Sequence, residues 1–126
     1  GHSFGGAVAY WLCQYSEEVT CGANIDGGVF GDYMGMVMKK PFLQIGCKMN
    51  RNFELKPLLN TEAPVWFETF EGMTHGGFTD MKFMYDPDSA KAKMVVGKMD
   101  GCEMHRRMAD LHLEFFGEYL QGQNRG

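Results

Sequence analysis

The five residues Gly1-His2-Ser3-Phe4-Gly5 constrain the fold of this chain more than anything else in it. They fit the pattern G-x-S-x-G, in which a strand ends, the chain turns sharply and a helix begins. A serine at the apex of such a turn has a strained backbone, and small residues two before and two after it are expected to avoid a clash. The turn lifts the Ser3 hydroxyl clear of the sheet and leaves the Phe4 amide free to bind an oxyanion. The positive end of the following helix adds to that potential. The segment from Phe4 to Ser16 supplies the helix, since Ala7, Val8, Tyr10, Trp11 and Leu12 cluster on overlapping turns behind small residues. Ser3 is therefore the candidate nucleophile.

Beyond Ser16 the chain alternates between strand and helix signals, which favours a parallel α/β sheet. Cys21 to Phe30 reads as a strand passing into a loop at Gly27 and Gly28. Pro41 introduces a short buried-strand pattern, Phe42-Leu43-Gln44-Ile45, closed by Gly46. Pro64 to Phe70 is the clearest strand, rich in aromatic and branched residues and stopped by Gly72. Met49 to Glu62 reads as a polar loop with a helical turn near Leu55 to Leu59. From Gly72 a long loop runs through His75 and the turn signal Asp86-Pro87-Asp88-Ser89. Asp100 to Leu120 predicts an amphipathic helix, with Met104, Met108, Leu111, Phe115 and Tyr119 on one stripe. Gln121 to Gly126 reads as a frayed polar tail. The whole predicts one partial α/β domain over 1–126, with about three parallel strands and flanking helices: the C-terminal part of an α/β-hydrolase fold.

Composition narrows the partners. Hydrophobic residues make up 44% of the 126 and charged residues 22%, an ordinary globular balance. The net charge is -4 with no basic stripe, which argues against nucleic acid. No apolar run approaches the roughly 18 residues that span a bilayer. Cys13, Cys21, Cys47 and Cys102 are spaced irregularly without a C-x-x-C pair, so they read mostly as free thiols rather than as a zinc site. They leave the compartment open between cytoplasmic and secreted. No metal or other cofactor is expected. His105 and His112 read as residues of one helix face.

A serine needs a base, and the base needs a group to fix its tautomer. In this fold the chain order is serine, acid, histidine, with the histidine on the loop after the last strand. Gly72-Met73-Thr74-His75-Gly76-Gly77-Phe78 is such a loop, so His75 is the candidate base. His2 lies inside the elbow, its side chain expected to point toward the sheet. The commonest place for the acid is the turn Gly46-Cys47-Lys48-Met49-Asn50-Arg51, which holds neither Asp nor Glu. One strand earlier, Asp26 ends a strand in Asn24-Ile25-Asp26-Gly27-Gly28 and can turn toward His75. Asp26 is the first candidate, Asp32 the second, and Asp80 reads as a helix-entry or surface residue. A turn-capping role for Asp26 is the plainer alternative.

Taken together, Gly1-His2-Ser3-Phe4-Gly5-Gly6, Asn24-Ile25-Asp26 and Thr74-His75 with Phe78 and Asp80 resemble the platelet-activating-factor acetylhydrolases, in their lipoprotein-associated and type II intracellular forms. The resemblance runs from residue 1 to about residue 120. The acid placed after the strand that follows the nucleophile helix is its more discriminating feature. It implies Ser3 as nucleophile, Asp26 as orienting acid, His75 as base and the Phe4 amide as an oxyanion donor. It also implies hydrolysis of short or oxidised acyl chains from phospholipids without a metal. Val29, Phe30 and Phe78 would then contact substrate, although Gly27-Gly28-Val29-Phe30 is lighter than the family's aromatic and Met-rich run. The Met34, Met36 and Met38 stretch fits either a lipid-facing flap or ordinary core packing.

Two other readings stay open. One is a small-ester or dienelactone-type hydrolase, the other a non-catalytic structural or interaction remnant. The sequence opens inside the elbow, so strands before it are expected to lie outside this chain. A sheet of three strands would leave an apolar edge uncovered. That leads to the expectation of association with a missing N-terminal half or with a second copy, or else of a truncated product with negligible activity.

Overall fold

The computed structural model describes residues 1–121; the rest of the polar tail, 122–126, lies outside them. Helix α1 (Phe4–Tyr15) leads into β1 (Gly22–Ile25), then β2 (Phe42–Cys47), α2 (Arg51–Leu55), β3 (Val65–Phe70), α3 (Ala90–Val96) and α4 (Gly101–Phe116). The three strands form one parallel sheet in the order β1-β2-β3. Gly22 pairs with Phe42 and Ile25 with Ile45, while Phe42 pairs with Val65 and Cys47 with Phe70. Residues 1–3 extend this order beyond β1: Ser3 N donates to the Ile25 carbonyl at 2.9 Å and Ile25 N to the Gly1 carbonyl at 2.9 Å. The elbow therefore stands beside the strand end that carries Asp26.

Both faces of the sheet are covered, which is why β2 is buried at every residue. On one face α1 turns Ala7, Tyr10 and Cys13 inward, and Tyr10, Cys13, Val29, Met38, Phe42 and Leu58 pack together. On the other, Leu43, Ile45, Cys47 and Phe70 meet Met104 and Phe115 of α4, with Trp66 edge-on to Phe115. Each buried phenylalanine of this kind contributes about 1.5–3 kcal/mol by leaving water. The opposite side of α1 is open, and Phe4, Val8, Leu12 and Tyr15 are exposed along it.

The structure differs from the sequence reading in several elements. Ala90–Val96, read as loop, is helix α3, and the Ser89 hydroxyl caps it by accepting from Ala92 N at 3.0 Å. The Met-rich stretch is split between both roles: Met38 is wholly buried and bridges to Thr61, while Met34 is exposed. The final helix ends in a π turn at Gly117–Gln121. All four cysteines are free, with Cys102 exposed. No described helix is long and apolar enough to cross a membrane.

Candidate active site

The elbow is built as the sequence pattern requires, with one exception. Ser3 has φ 57° and ψ −124°, a conformation rarely adopted by a residue with a side chain. The chain around it is tight: a Cβ on Gly1 would overlap the Gly5 carbonyl, and one on Gly6 would overlap the Asn24 amide oxygen. Gly5 is the exception, because a Cβ there would meet nothing within 4 Å. The close approach falls on Gly1 and Gly6. Ser3's own carbonyl accepts from Gly6 N at 2.9 Å, which starts α1. The Phe4 amide has no acceptor among these backbone bonds and stays free at the first position of the helix.

Asp26 follows β1 with φ 50°, again a left-handed residue carrying a side chain. Asn24 holds that turn closed. Its amide nitrogen donates to the Gly27 carbonyl at 2.8 Å, and its amide oxygen accepts from Gly27 N at 2.8 Å. The Asp26 carboxylate is turned toward β2, where the Cys47 amide donates to Oδ1 at 3.0 Å and Asn50 Nδ2 to Oδ2 at 3.0 Å. The turn after β2, without an acid of its own, thus seats the acid that comes from β1.

His75 closes the chain of contacts. Its Nδ1 lies 2.7 Å from Asp26 Oδ2 and its Nε2 lies 2.9 Å from Ser3 Oγ. The Asp26 side chain is fully buried, whereas that of His75 is half exposed. Burial alone would push the Asp26 carboxyl up. The neighbouring Glu54 carboxyl, the Cys47 amide and His75 outweigh it and hold the group below its ordinary value, so it is an anion at neutral pH. The His75 loop is pinned from behind: Thr74 Oγ1 donates to the Val95 carbonyl at 2.6 Å, and Lys98 N and Met99 N both donate to the Gly72 carbonyl.

The structure thus brings Ser3, Asp26 and His75 together, and leaves Asp32 and Asp80 outside. Asp32 is exposed and accepts from Met34 N, and Asp80 faces His105 at 3.7 Å on the surface. His2 corrects its sequence reading. Its ring stacks on that of His75, centroids 4.8 Å apart, with Nε2 3.3 Å from the His75 carbonyl. Only one of the three residues assigned to substrate contact lines the cleft at Ser3. That residue is Phe30, 63% exposed; Val29 and Phe78 are buried in the two cores, where strand packing claims them.

The cleft is about 400 Å³ and is lined by Phe4, Gly28, Phe30 and Phe53 as well as by Ser3, His75, Asn50 and Glu54. Phe53 and Glu54, both on α2, had no signal in the sequence: that stretch reads as a polar loop. Phe53 lies over Gly28, whose missing side chain makes the room. Glu54 is buried, and burial together with the neighbouring Asp26 charge pushes its carboxyl up to about 9. Among the described residues, no group of three or more His, Cys, Asp or Glu is placed to hold a metal.

This arrangement sits on a known scaffold. The chain superimposes on a ferulic acid esterase from Streptomyces cinnamoneus with a TM-score of 0.73 and 22% identity, over 97% of this chain and 39% of that one. The shared fold is of the α/β-hydrolase kind. At that identity the likeness shows the fold alone, and the chain spans well under half the length of the esterase it matches. No protein-family model matches the chain, and neither does any curated sequence.

Proposed function

We propose that this chain carries the catalytic residues of a serine ester hydrolase acting through an acyl-enzyme. The observation that carries the reading is the continuous path from Ser3 Oγ to His75 Nε2 at 2.9 Å and from His75 Nδ1 to Asp26 Oδ2 at 2.7 Å, on a serine held at positive φ. Ser3 Oγ–H donates to His75 Nε2, which takes the proton as the oxygen attacks an ester carbonyl. The His75 Nδ1–H donates to Asp26, which fixes the tautomer and stabilises the imidazolium. The free Phe4 amide faces the developing oxyanion. His75 then returns the proton to the leaving alcohol, and water, deprotonated by His75, releases the acid.

The cleft favours a short acyl group. Its volume is small, and Phe4, Phe30 and Phe53 give it an apolar wall. Two substrate classes fit. The acid's position after β1 supports the acetylhydrolase resemblance and hence an acetylated phospholipid. The three phenylalanines equally favour a small aryl ester, the class suggested by the name of the structural neighbour.

The test is hydrolysis of a short-chain aryl acetate and of an acetylated phospholipid by the purified protein and by Ser3→Ala. The native protein should cleave one of them and take up a fluorophosphonate at Ser3, and Ser3→Ala should do neither. An unchanged rate in Ser3→Ala would overturn the reading.

A further inference from the structure

Glu54 takes no part in the proton transfers between Ser3 and His75, yet it lines the same cleft as Ser3, Asp26 and His75. It is 1% exposed, and neither carboxyl oxygen meets a hydrogen-bond donor. An ionised carboxylate left so would forgo all of its solvation. The sheet nevertheless makes room for it: a Cβ on Gly46 of β2 would fall on Glu54 Oε2. The side chain is held in this place by the strand beneath it.

A carboxylate cannot donate, but a carboxylic acid can. Within reach stands Asp26: its Oδ2 receives Asn50 Nδ2, His75 Nδ1 and, at 3.7 Å, the Cys47 thiol, while Oδ1 receives the Cys47 amide and keeps acceptor capacity to spare. Two adjacent carboxyls do not both ionise; one keeps a proton and gives a hydrogen bond to the other. We propose that Glu54 is a positioning residue, a neutral carboxylic acid whose hydroxyl donates to Asp26 and aims that anion at His75. The proposal rests on Ser3, His75 and Asp26 acting as nucleophile, base and orienting acid.

The surroundings decide which partner holds the proton. Asp26 keeps the Cys47 amide and thiol, Asn50 and His75 as donors, whereas Glu54 lies beside Asp26 and Gln44 with, among the described residues, no donor on either of its oxygens. Cys47, the nearby thiol, is itself pushed up by burial and stays neutral. Among the described residues no lysine or arginine forms an ion pair with either carboxyl. With Glu54 pushed up to about 9, its O–H bond breaks only in alkaline solution, where the proton passes to hydroxide. Two adjacent anions then replace the hydrogen bond.

Two measurements test this. The first does not depend on activity: infrared titration of the purified protein should show a carboxylic-acid carbonyl band at pH 7 that disappears near pH 9. Glu54→Gln should lack that band, and Asp26→Asn should lose it at lower pH, because the neighbouring charge is gone. The second is the pH profile of kcat on an aryl acetate. The native rate should fall above about pH 9, and Glu54→Gln, whose amide donates at every pH, should show no such fall. Glu54→Ala should lower kcat about tenfold at all pH values with little change in KM, and Glu54→Gln should recover most of the loss. Absence of the band at pH 7, or the same alkaline fall in Glu54→Gln, would overturn the proposal. A band that titrates as stated in a protein that cleaves no ester would overturn the function and support the carboxyl pair. Should Glu54→Gln not fold, the native and Asp26→Asn titrations decide.

Discussion

The Cys47 amide, at the end of β2, donates to Asp26 Oδ1 at 3.0 Å, while Asp26 itself comes from the end of β1. A backbone donor fixes one oxygen and leaves Oδ2 for His75 and Asn50. The orientation therefore depends on a carboxylate with both oxygens accepting. In Asp26→Asn one of these becomes an NH₂ that repels either the Cys47 amide or His75 Nδ1–H. The imidazole then settles in the wrong tautomer. Turnover of an aryl ester should fall about 10³–10⁴-fold with the fold intact, and a loss of less than tenfold would speak against Asp26 as the orienting acid.

Asn50 donates to the same oxygen as His75, Oδ2, at 3.0 Å. Asn50→Ala removes one of the donors that hold the buried anion. A rate loss of about tenfold is expected, in line with one hydrogen bond to a charged group. Asn50→Asp should be worse, because it sets a second negative charge against the Asp26 anion. Steady-state kcat for the two variants, side by side, checks the order.

How much of this could be read in the sequence varies with the kind of contact. The three strands and the first and last helices were legible, because apolar period and glycine stops report burial directly. Ser3, Asp26 and His75 could be singled out because the elbow pattern sets a chain order for its partners. The seat of Asp26 could not be found that way. Cys47 contributes a backbone amide that any residue would supply, and Glu54 sits in a stretch whose polarity suggests a loop. Helix α3 was hidden for another reason: seven residues with two lysines carry little periodicity, and the capping Ser89 reads only as part of a turn. The stacking of His2 on His75 joins residues 73 apart in the chain, a contact that no local pattern reports.

Gly5 and Gly6 stand together in the elbow yet meet different surroundings. A Cβ on Gly6 would strike the Asn24 amide that closes the Asp26 turn; one on Gly5 would enter open space. Gly6→Ala should destabilise the protein by about 1–3 kcal/mol through overpacking. Gly5→Ala should be neutral or stabilise by up to about 1 kcal/mol, as alanine favours the helix. Urea unfolding of both variants makes the comparison, and equal losses would show that the space around Gly5 is misplaced.

Helix α3 acts on the site through the His75 loop. Ser89 caps the helix at one end, and Val95 near the other accepts from Thr74, the residue before His75. Ser89→Ala should cost about 1 kcal/mol of stability, the usual worth of such a cap. Thr74→Val should lower kcat more than it lowers the unfolding midpoint, since it frees the loop without opening the core.

The buried Glu54 also makes stability depend on pH, with a definite sign. Its carboxyl is pushed up by burial and by Asp26, from an ordinary value of 4.5 to about 9 in the folded protein. The folded state thus holds a proton that the unfolded chain releases. The resulting contribution is fully present below about pH 4.5 and is lost as the pH rises to about 9, above which the dependence levels off. Glu54→Gln carries no such proton. Its thermal midpoint relative to the native protein should therefore rise steadily between pH 5 and pH 9. Asp26, held below its ordinary value, acts in the opposite sense. It stabilises the fold above the usual carboxylate range, and that stabilisation is lost in acid as Asp26 protonates. Melting curves of the native protein, Glu54→Gln and Asp26→Asn across this range separate the two carboxyls. A pH-independent difference between native and Glu54→Gln would mean that Glu54 ionises alike in the folded and unfolded chain, which its burial against Gly46 forbids.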